Sequence, residues 1–275
     1  MGTLLSNSGK QMADQEDKPE PTTCEKCGRT LDWFQVDLLG RKKWIMKTCE
    51  CIKAEWEKEE KRRKAEERRR RIERLFSLSR LGTRFMESRF ENWEPMPGAE
   101  AALDYALDFA ENFEEYQKRG EGLLIYGPPG NGKSHLAAAV VHRLLERGKP
   151  AIFQSVPDLL DRIRRTYDRD NSTNEGQIMA ALEEADLLVL DDAGAEQWTE
   201  WAESKLYTII DHRYRNKKPI FVTTNTDVEE LESAVGFRAY DRLLEMCLLV
   251  KNSGESYRRI IARRRIQSIK EGRRK

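Results

Sequence analysis

Residues 127–134 are Gly127, Pro128, Pro129, Gly130, Asn131, Gly132, Lys133 and Ser134, and they follow directly on the apolar run Leu123, Leu124, Ile125, Tyr126. The octet fits GxxxxGK followed by Ser or Thr at every fixed position, and it sits where a strand would end and a helix begin. In that setting the glycines let backbone N–H groups turn toward phosphate oxygens. The lysine reaches the β- and γ-phosphates, the serine hydroxyl ligates Mg²⁺, and the helix N-terminus adds positive potential. These eight residues and His135 are therefore expected around the phosphates of ATP, with Ser134 on the metal. A glycine-rich turn without nucleotide is the alternative, and the strand-to-helix context argues against it.

A second motif supplies acids. Leu187, Leu188, Val189 and Leu190 run into Asp191 and Asp192, so a buried strand delivers two carboxylates at its C-terminal end. Asp191 is placed to hold Mg²⁺, directly or through water, and Asp192 to orient or deprotonate an attacking water. Two acids after a strand are common as a mere helix start; the P-loop upstream gives this pair its meaning. The run Ile220, Phe221, Val222, Thr223, Thr224 ends on Asn225, whose amide is able to hold a water beside the γ-phosphate. Alone, Asn225 would be an ordinary turn residue.

Around these motifs, strand and helix patterns alternate. Strands are expected at 123–126, 151–155, 187–190, 220–224 and 247–250. Helices are expected at 99–117, 133–147, 157–167, up to 185, 199–216 and 239–246. Ser155 is a candidate cap, with Pro157 near the tolerated first position of its helix. Strands joined by helical crossovers imply a parallel sheet with helices on both faces.

Upstream the composition changes. Residues 1–22 are polar and aperiodic and read as a disordered lead-in. Cys24 and Cys27 in a C-x-x-C, then Cys49 and Cys51 in a C-x-C, flank a short segment of alternating aromatic and polar character. Two close thiolate pairs across a hairpin suit one tetrahedral Zn²⁺, a staple that a module this small needs. Unrelated free thiols or a redox pair are the alternative. Residues 52–76 hold helix formers with no Gly or Pro and read as one long solvated helix, before a break at Gly82.

Net charge is only +1, yet residues 58–74 carry ten Lys/Arg against five Glu, and residues 251–275 ten against two acids. Basic character is local, fit for phosphate contact or for simple solvation. No apolar run is long enough to cross a bilayer, and residues 1–18 lack the basic-then-apolar design of a signal peptide, so a cytoplasmic protein is expected.

The P-loop helix, Leu190 to Gly194, the Thr223, Thr224, Asn225 end, Asp241, Arg242 and Leu243, and the later Gly254, Glu255, Ser256, Tyr257 and Arg258 together resemble the AAA+ ATPases of the DnaC, DnaI and IstB group. The likeness covers about residues 81–265, including Arg84, Phe85 and the Phe90, Glu91, Asn92 segment before the core. It implies that Asn225 is a sensor 1 residue, Arg242 an arginine finger acting on a neighbouring subunit's ATP, and Arg258 a sensor 2 arginine; Arg238 and Arg259 stand close to these. It also implies single-stranded DNA contact, with Arg162, Arg164, Arg165 and Arg169 as candidates, and homo-oligomeric assembly. The cysteine module resembles that of bacterial and phage helicase loaders, whose N-terminal part grips a DnaB-type replicative helicase hexamer.

The expected organisation is a lead-in (1–22), a zinc module for helicase docking (23–52), a charged linker helix (53–80), the AAA+ ATPase domain (81–265) and a basic tail (266–275). The expected activity is ATP hydrolysis by a helicase loader using ATP, Mg²⁺ and Zn²⁺. An IstB-type transposition helper is the nearest rival; a monomeric P-loop kinase and an adaptor with a dead ATPase are further ones.

Overall fold

A computed structural model describes residues 12–13, 17–38, 41–76, 83–167, 174–194, 199–270 and 272. Most of the expected lead-in, Gly82, Arg169, the side chain of Arg84 and the end of the basic tail lie outside the described residues. The chain forms two compact units, Met1–Glu67 and Arg68–Lys275.

The first unit is built of short antiparallel strands. β1 (Met12–Ala13), β2 (Thr22–Thr23), β3 (Thr30–Leu31), β4 (Trp33–Leu38) and β5 (Arg41–Met46) are arranged as a β2–β3 pair and a three-stranded sheet in the order β1, β5, β4. Among the described residues, Trp33 and Ile45 are its buried hydrophobic side chains apart from two cysteines. So small a core cannot hold itself together without a staple. Helix α1 (Glu50–Leu75) follows, and the division between the units falls within it.

In the second unit the last turns of α1 bury Ile72, Leu75 and Phe76. Arg68 pairs with Asp186 at 2.5 Å and Arg71 with Glu184 at 2.6 Å. Then come α2 (Thr83–Met86), a 3₁₀ turn at Phe90–Asn92, α3 (Glu100–Glu111) and α4 (Phe113–Arg119). One helix was expected here, but Asn112 leaves helical geometry at φ −105°, ψ 25° and bonds Asp108. The break lets Phe113 and Tyr116 join Phe109 in the core, with aromatic centroids 5.7 and 4.8 Å from Phe109.

The core alternates as β6 (Gly122–Tyr126), α5 (Lys133–Glu146), β7 (Ala151–Ser155), α6 (Val156–Arg165), α7 (Glu175–Glu184), β8 (Leu187–Asp191), α8 (Glu200–Arg215), β9 (Ile220–Thr224), α9 (Val228–Val235), α10 (Phe237–Met246), β10 (Cys247–Lys251) and α11 (Tyr257–Lys270). Helix α9 was not expected, because its four acidic or small polar residues mask the apolar spacing of Leu231 and Val235. Ser155 caps α6 as expected, accepting from the Asp158 N–H.

All four strand pairings in the sheet β10-β6-β9-β8-β7 are parallel. Leu123, Ile125, Leu187 and Val189 face α3, α4 and α5, whereas Leu124, Leu188 and Leu190 face α6, α7 and α8. Both faces are covered, so the strands read as unbroken apolar runs. This is the expected parallel sheet with helices on both faces.

At the opposite edge of the sheet from the P-loop, Arg213 is fully buried. Its four terminal N–H groups donate to the carbonyls of Leu182, Ala185, Asp186 and Pro219. Two of these are last-turn carbonyls of α7 that no helix bond satisfies. The side chain thus joins α7 to the starts of β8 and β9. Arg213→Met should strand these acceptors and lower stability by about 3 kcal/mol or more in urea unfolding, and Arg213→Lys should recover only part of the loss.

Candidate nucleotide site and cysteine cluster

Three strands of the sheet end beside one cleft of about 330 Å³, lined by Pro129, Gly130, Asn131, Gly132, Lys133, Ser134, His135, Asp192, Asn225, Tyr257, Arg258 and the segment from Phe85 to Met96. The P-loop owes its path to backbone that only glycine adopts at low cost. Gly130 and Gly132 have φ of 85° and 89°, and a Cβ at Gly132 would strike the Trp93 ring at 2.3 Å. Asn131 and Asn252 lock the loop reciprocally: Asn131 Nδ2 donates to Asn252 O at 2.7 Å, and Asn252 Nδ2 to Asn131 O at 3.0 Å. Both are fully buried.

Lys133 is 3% exposed, and its Nζ donates to Gly127 O (2.7 Å), Pro128 O (2.8 Å) and Asn131 Oδ1 (3.1 Å). Burial pushes its ammonium down to about 8, against the pull of Asp192 and Asp191. His135 holds Arg89 O at 2.8 Å and meets Trp93 edge-on at 5.4 Å. The aromatic segment before the core is thereby fastened to α5.

The two acids occupy different surroundings. Asp191 is buried, which pushes its carboxyl up to about 6, opposed by hydrogen bonds from Thr223 and Ser134. A carboxylate and a hydroxyl in contact form a hard oxygen pair of the kind Mg²⁺ accepts. Asp192 stands at φ 55°, with Asn225 Nδ2 donating to its Oδ1 at 2.9 Å. The expected P-loop, acidic and Asn225 residues therefore meet at one place. Arg258 lines the cleft as well, whereas Arg259 does not.

Arg242 lies elsewhere. It pairs with Asp211 at 2.7 Å, sits over the Tyr207 and Tyr214 rings at 4.8 and 5.5 Å, and donates to the Tyr207 hydroxyl at 3.1 Å. Arg238, one turn earlier, is exposed. Among the DNA-contact candidates, Arg162 covers the Phe76 ring at 4.5 Å, Arg164 covers Trp201 at 4.9 Å, and Arg165 pairs with Asp161 at 2.7 Å. Sequence reasoning missed Asn252, Thr223 and the bonds that Glu94 accepts from Tyr257 and Arg264. A polar residue directly after the last apolar strand was the one available signal, for Asn252.

In the first unit the Sγ atoms of Cys24, Cys27, Cys49 and Cys51 all lie within 4.8 Å of one another. Three separations are 3.7, 3.4 and 3.4 Å. A tetrahedron with Zn–S bonds of about 2.3 Å has edges of about 3.8 Å, so the four sulfurs are compatible with one zinc ion. The Cys27 and Lys26 backbone N–H groups pull the Cys24 thiol down to about 7, while the neighbouring thiols push Cys51 up to about 12, so the four share their protons until a metal displaces them.

Lys133 generates a pH prediction. The free protein loses its charge above about pH 8, while bound phosphate favours the ammonium, so ATP binding should take up a proton between about pH 8 and the ordinary 10.5. Affinity should fall as pH rises through that window. Calorimetry near about pH 9, in buffers of different ionisation heat, should show net proton uptake approaching one.

The family of IstB-like ATP binding proteins matches residues 55–265. The replicative helicase loader DnaC of Escherichia coli is 32% identical over 190 residues, covering 68% of this chain and 76% of that protein. DnaC of Buchnera aphidicola subsp. Baizongia pistaciae is 28% identical over 193 residues, covering 70% and 77%. A crystal structure of the DnaC helicase loader aligns with a TM-score of 0.57 at 26% identity, over 62% of this chain and 100% of that one. AMPPCP-bound DnaA from Aquifex aeolicus shares the fold, with a TM-score of 0.53 at 22% identity over 66% and 55% of the chains. The chain belongs to the IstB-like ATP-binding family, among the AAA+ ATPases of the DnaC, DnaI and IstB group.

Proposed function

We propose that this chain is an ATP-dependent loader of a hexameric replicative DNA helicase. The convergence of Lys133, Asp192, Asn225 and Arg258 on one cleft, with buried Asp191 bonded to Ser134 of its lining, in a chain whose relatives are named replicative helicase loaders, carries this reading. ATP is hydrolysed slowly, and its binding and loss switch assembly.

Lys133 leaves its loop carbonyls for the β- and γ-phosphates, and Asp192 orients the attacking water with Asn225 beside it. Ser134 and Asp191 would hold Mg²⁺, which would supply charge neutralisation on the phosphate oxygens. Arg258 approaches the same oxygens from α11. Nothing covalent is required of the protein: position and charge lower the barrier. Arg242 is the arginine finger for a neighbouring copy, and it must exchange Asp211 for that copy's phosphate on assembly.

For single-stranded DNA, the end of α6 offers Tyr167, which is 54% exposed and edge-on to Trp201 at 6.4 Å, with Arg164 stacked on the other ring. Aromatic rings with arginine among them accept unstacked bases without sequence preference. The cysteine module, stapled by zinc, docks on the helicase.

Lys133→Ala should abolish ATP binding, and Asp192→Asn should bind ATP but hydrolyse it poorly. Full-length protein should carry about one Zn²⁺ per chain and capture a replicative helicase from host extract. Cys27→Ser should lose metal and capture while keeping ATP binding. Recovery of a transposase instead would favour the transposition helper.

Arg242→Ala should bind ATP nearly normally but lose about a thousandfold of its assembly-stimulated hydrolysis. Mixed with Lys133→Ala, it should regain activity at interfaces that pair an intact P-loop with an intact finger. A mixture that co-assembles by light scattering yet stays inactive points to Arg238.

A further inference from the structure

Thr223 is fully buried near the end of β9 and does not line the cleft. Its hydroxyl donates to Asp191 Oδ1 at 2.5 Å and accepts the Asp192 backbone N–H at 3.0 Å. A hydroxyl has one proton and an N–H can only donate, so the direction of both bonds is fixed. The carbonyl of the same residue accepts the Ala193 N–H at 2.8 Å. One residue of β9 therefore grips three consecutive residues where β8 ends.

The gripped turn is not one the chain adopts freely. Asp192 lies in the left-handed region, where a side chain is disfavoured. Its backbone is held by Thr223 and its carboxylate by Asn225, two positions on along the same segment. The strand that presents Asn225 to the cleft thus also sets where both acids stand.

We propose that Thr223 is a positioning residue for ATP hydrolysis, its hydroxyl fixing the separation between the acid that holds the metal and the acid that orients water. The proposal rests on the roles given above to Asp191 and Asp192. It differs from mere satisfaction of a buried hydroxyl in what it couples. Partners that orient a metal ligand are typically worth about ten- to a hundredfold in metal affinity or activity.

Thr223→Val keeps the branched shape and removes both bonds; Thr223→Ser keeps the bonds and removes the methyl. In the full chain, Thr223→Val should lower kcat about ten- to a hundredfold at little-changed KM. It should raise by about tenfold the Mg²⁺ concentration that gives half of the metal-dependent gain in ATP affinity, read by calorimetry. Affinity for ATP without Mg²⁺ should stay within about twofold, and Thr223→Ser within about threefold of wild type in every measure. Should Thr223→Val fail to fold by circular dichroism, Thr223→Ala replaces it, with a loss in the same direction that is smaller where a water remakes the two bonds.

Unchanged kcat and Mg²⁺ requirement in the valine variant would overturn the proposal. Equal losses in the serine and valine variants would do so too, since packing of the methyl would then be the cause, as would a matching loss of metal-free ATP affinity. A wild-type protein that binds Mg·ATP without turnover sinks the hydrolysis reading instead, and the Mg²⁺ requirement alone then judges Thr223.

Discussion

Because every strand of the main sheet runs the same way, all five C-terminal ends open on one edge, and the cleft that holds the P-loop lies on that edge. β6 lies between β10 and β9, so the P-loop emerges flanked by Asn252 on one side and the Thr223 to Asn225 segment on the other. β8 lies next along and supplies the acids. Asp192 and Asn225 each directly follow the last residue of a strand. The opposite edge does the complementary work, where Arg213 collects carbonyls from α7 and two strand starts.

Such an edge is legible in a sequence as far as its parts are local. Gly130, Gly132, Lys133 and Ser134 announce themselves because a tight turn, a charge and a hydroxyl occur at fixed spacing in a strand-to-helix setting. Asp191 and Asp192 follow from four apolar residues that end in acids, and the cysteine pairs from their spacing. The contacts that brace these parts leave no local trace. Asn131 meets Asn252 across 121 residues, and Glu94 meets Tyr257 across 163. A threonine on a β-branched strand looks like any other strand former, so its two bonds to the acids are invisible until β8 and β9 are placed side by side. Asn112 and α9 were lost for a different reason: core aromatics overrode helix propensity at the first, and acids masked the apolar spacing of the second.

Charge was the least readable quantity. Arginine runs suggest surfaces awaiting phosphate, yet many of these guanidinium groups are engaged within the chain. Arg68 and Arg71 pair with acids beside β8, Arg162 and Arg164 lie over aromatic rings, and Arg242 is clasped by Asp211 and two tyrosines. A planar cation satisfies a ring and a carboxylate at once, which the count of charges along a chain does not reveal.

Helix α11, fourteen residues long, has no buried residue. It is attached through its first turns, by the Tyr257 N–H on Gly130 O and by Tyr257 and Arg264 on Glu94. Apolar burial changes little with moderate concentrations of simple salts, whereas attraction between exposed charges is weakened by counterions, with a Debye length of about 10 Å at 0.1 M. Of these ties the Arg264–Glu94 ion pair is the one open to screening, so dissolved salt loosens one of the bonds that hold the helix of Arg258 beside the P-loop and leaves the sheet beneath it unchanged.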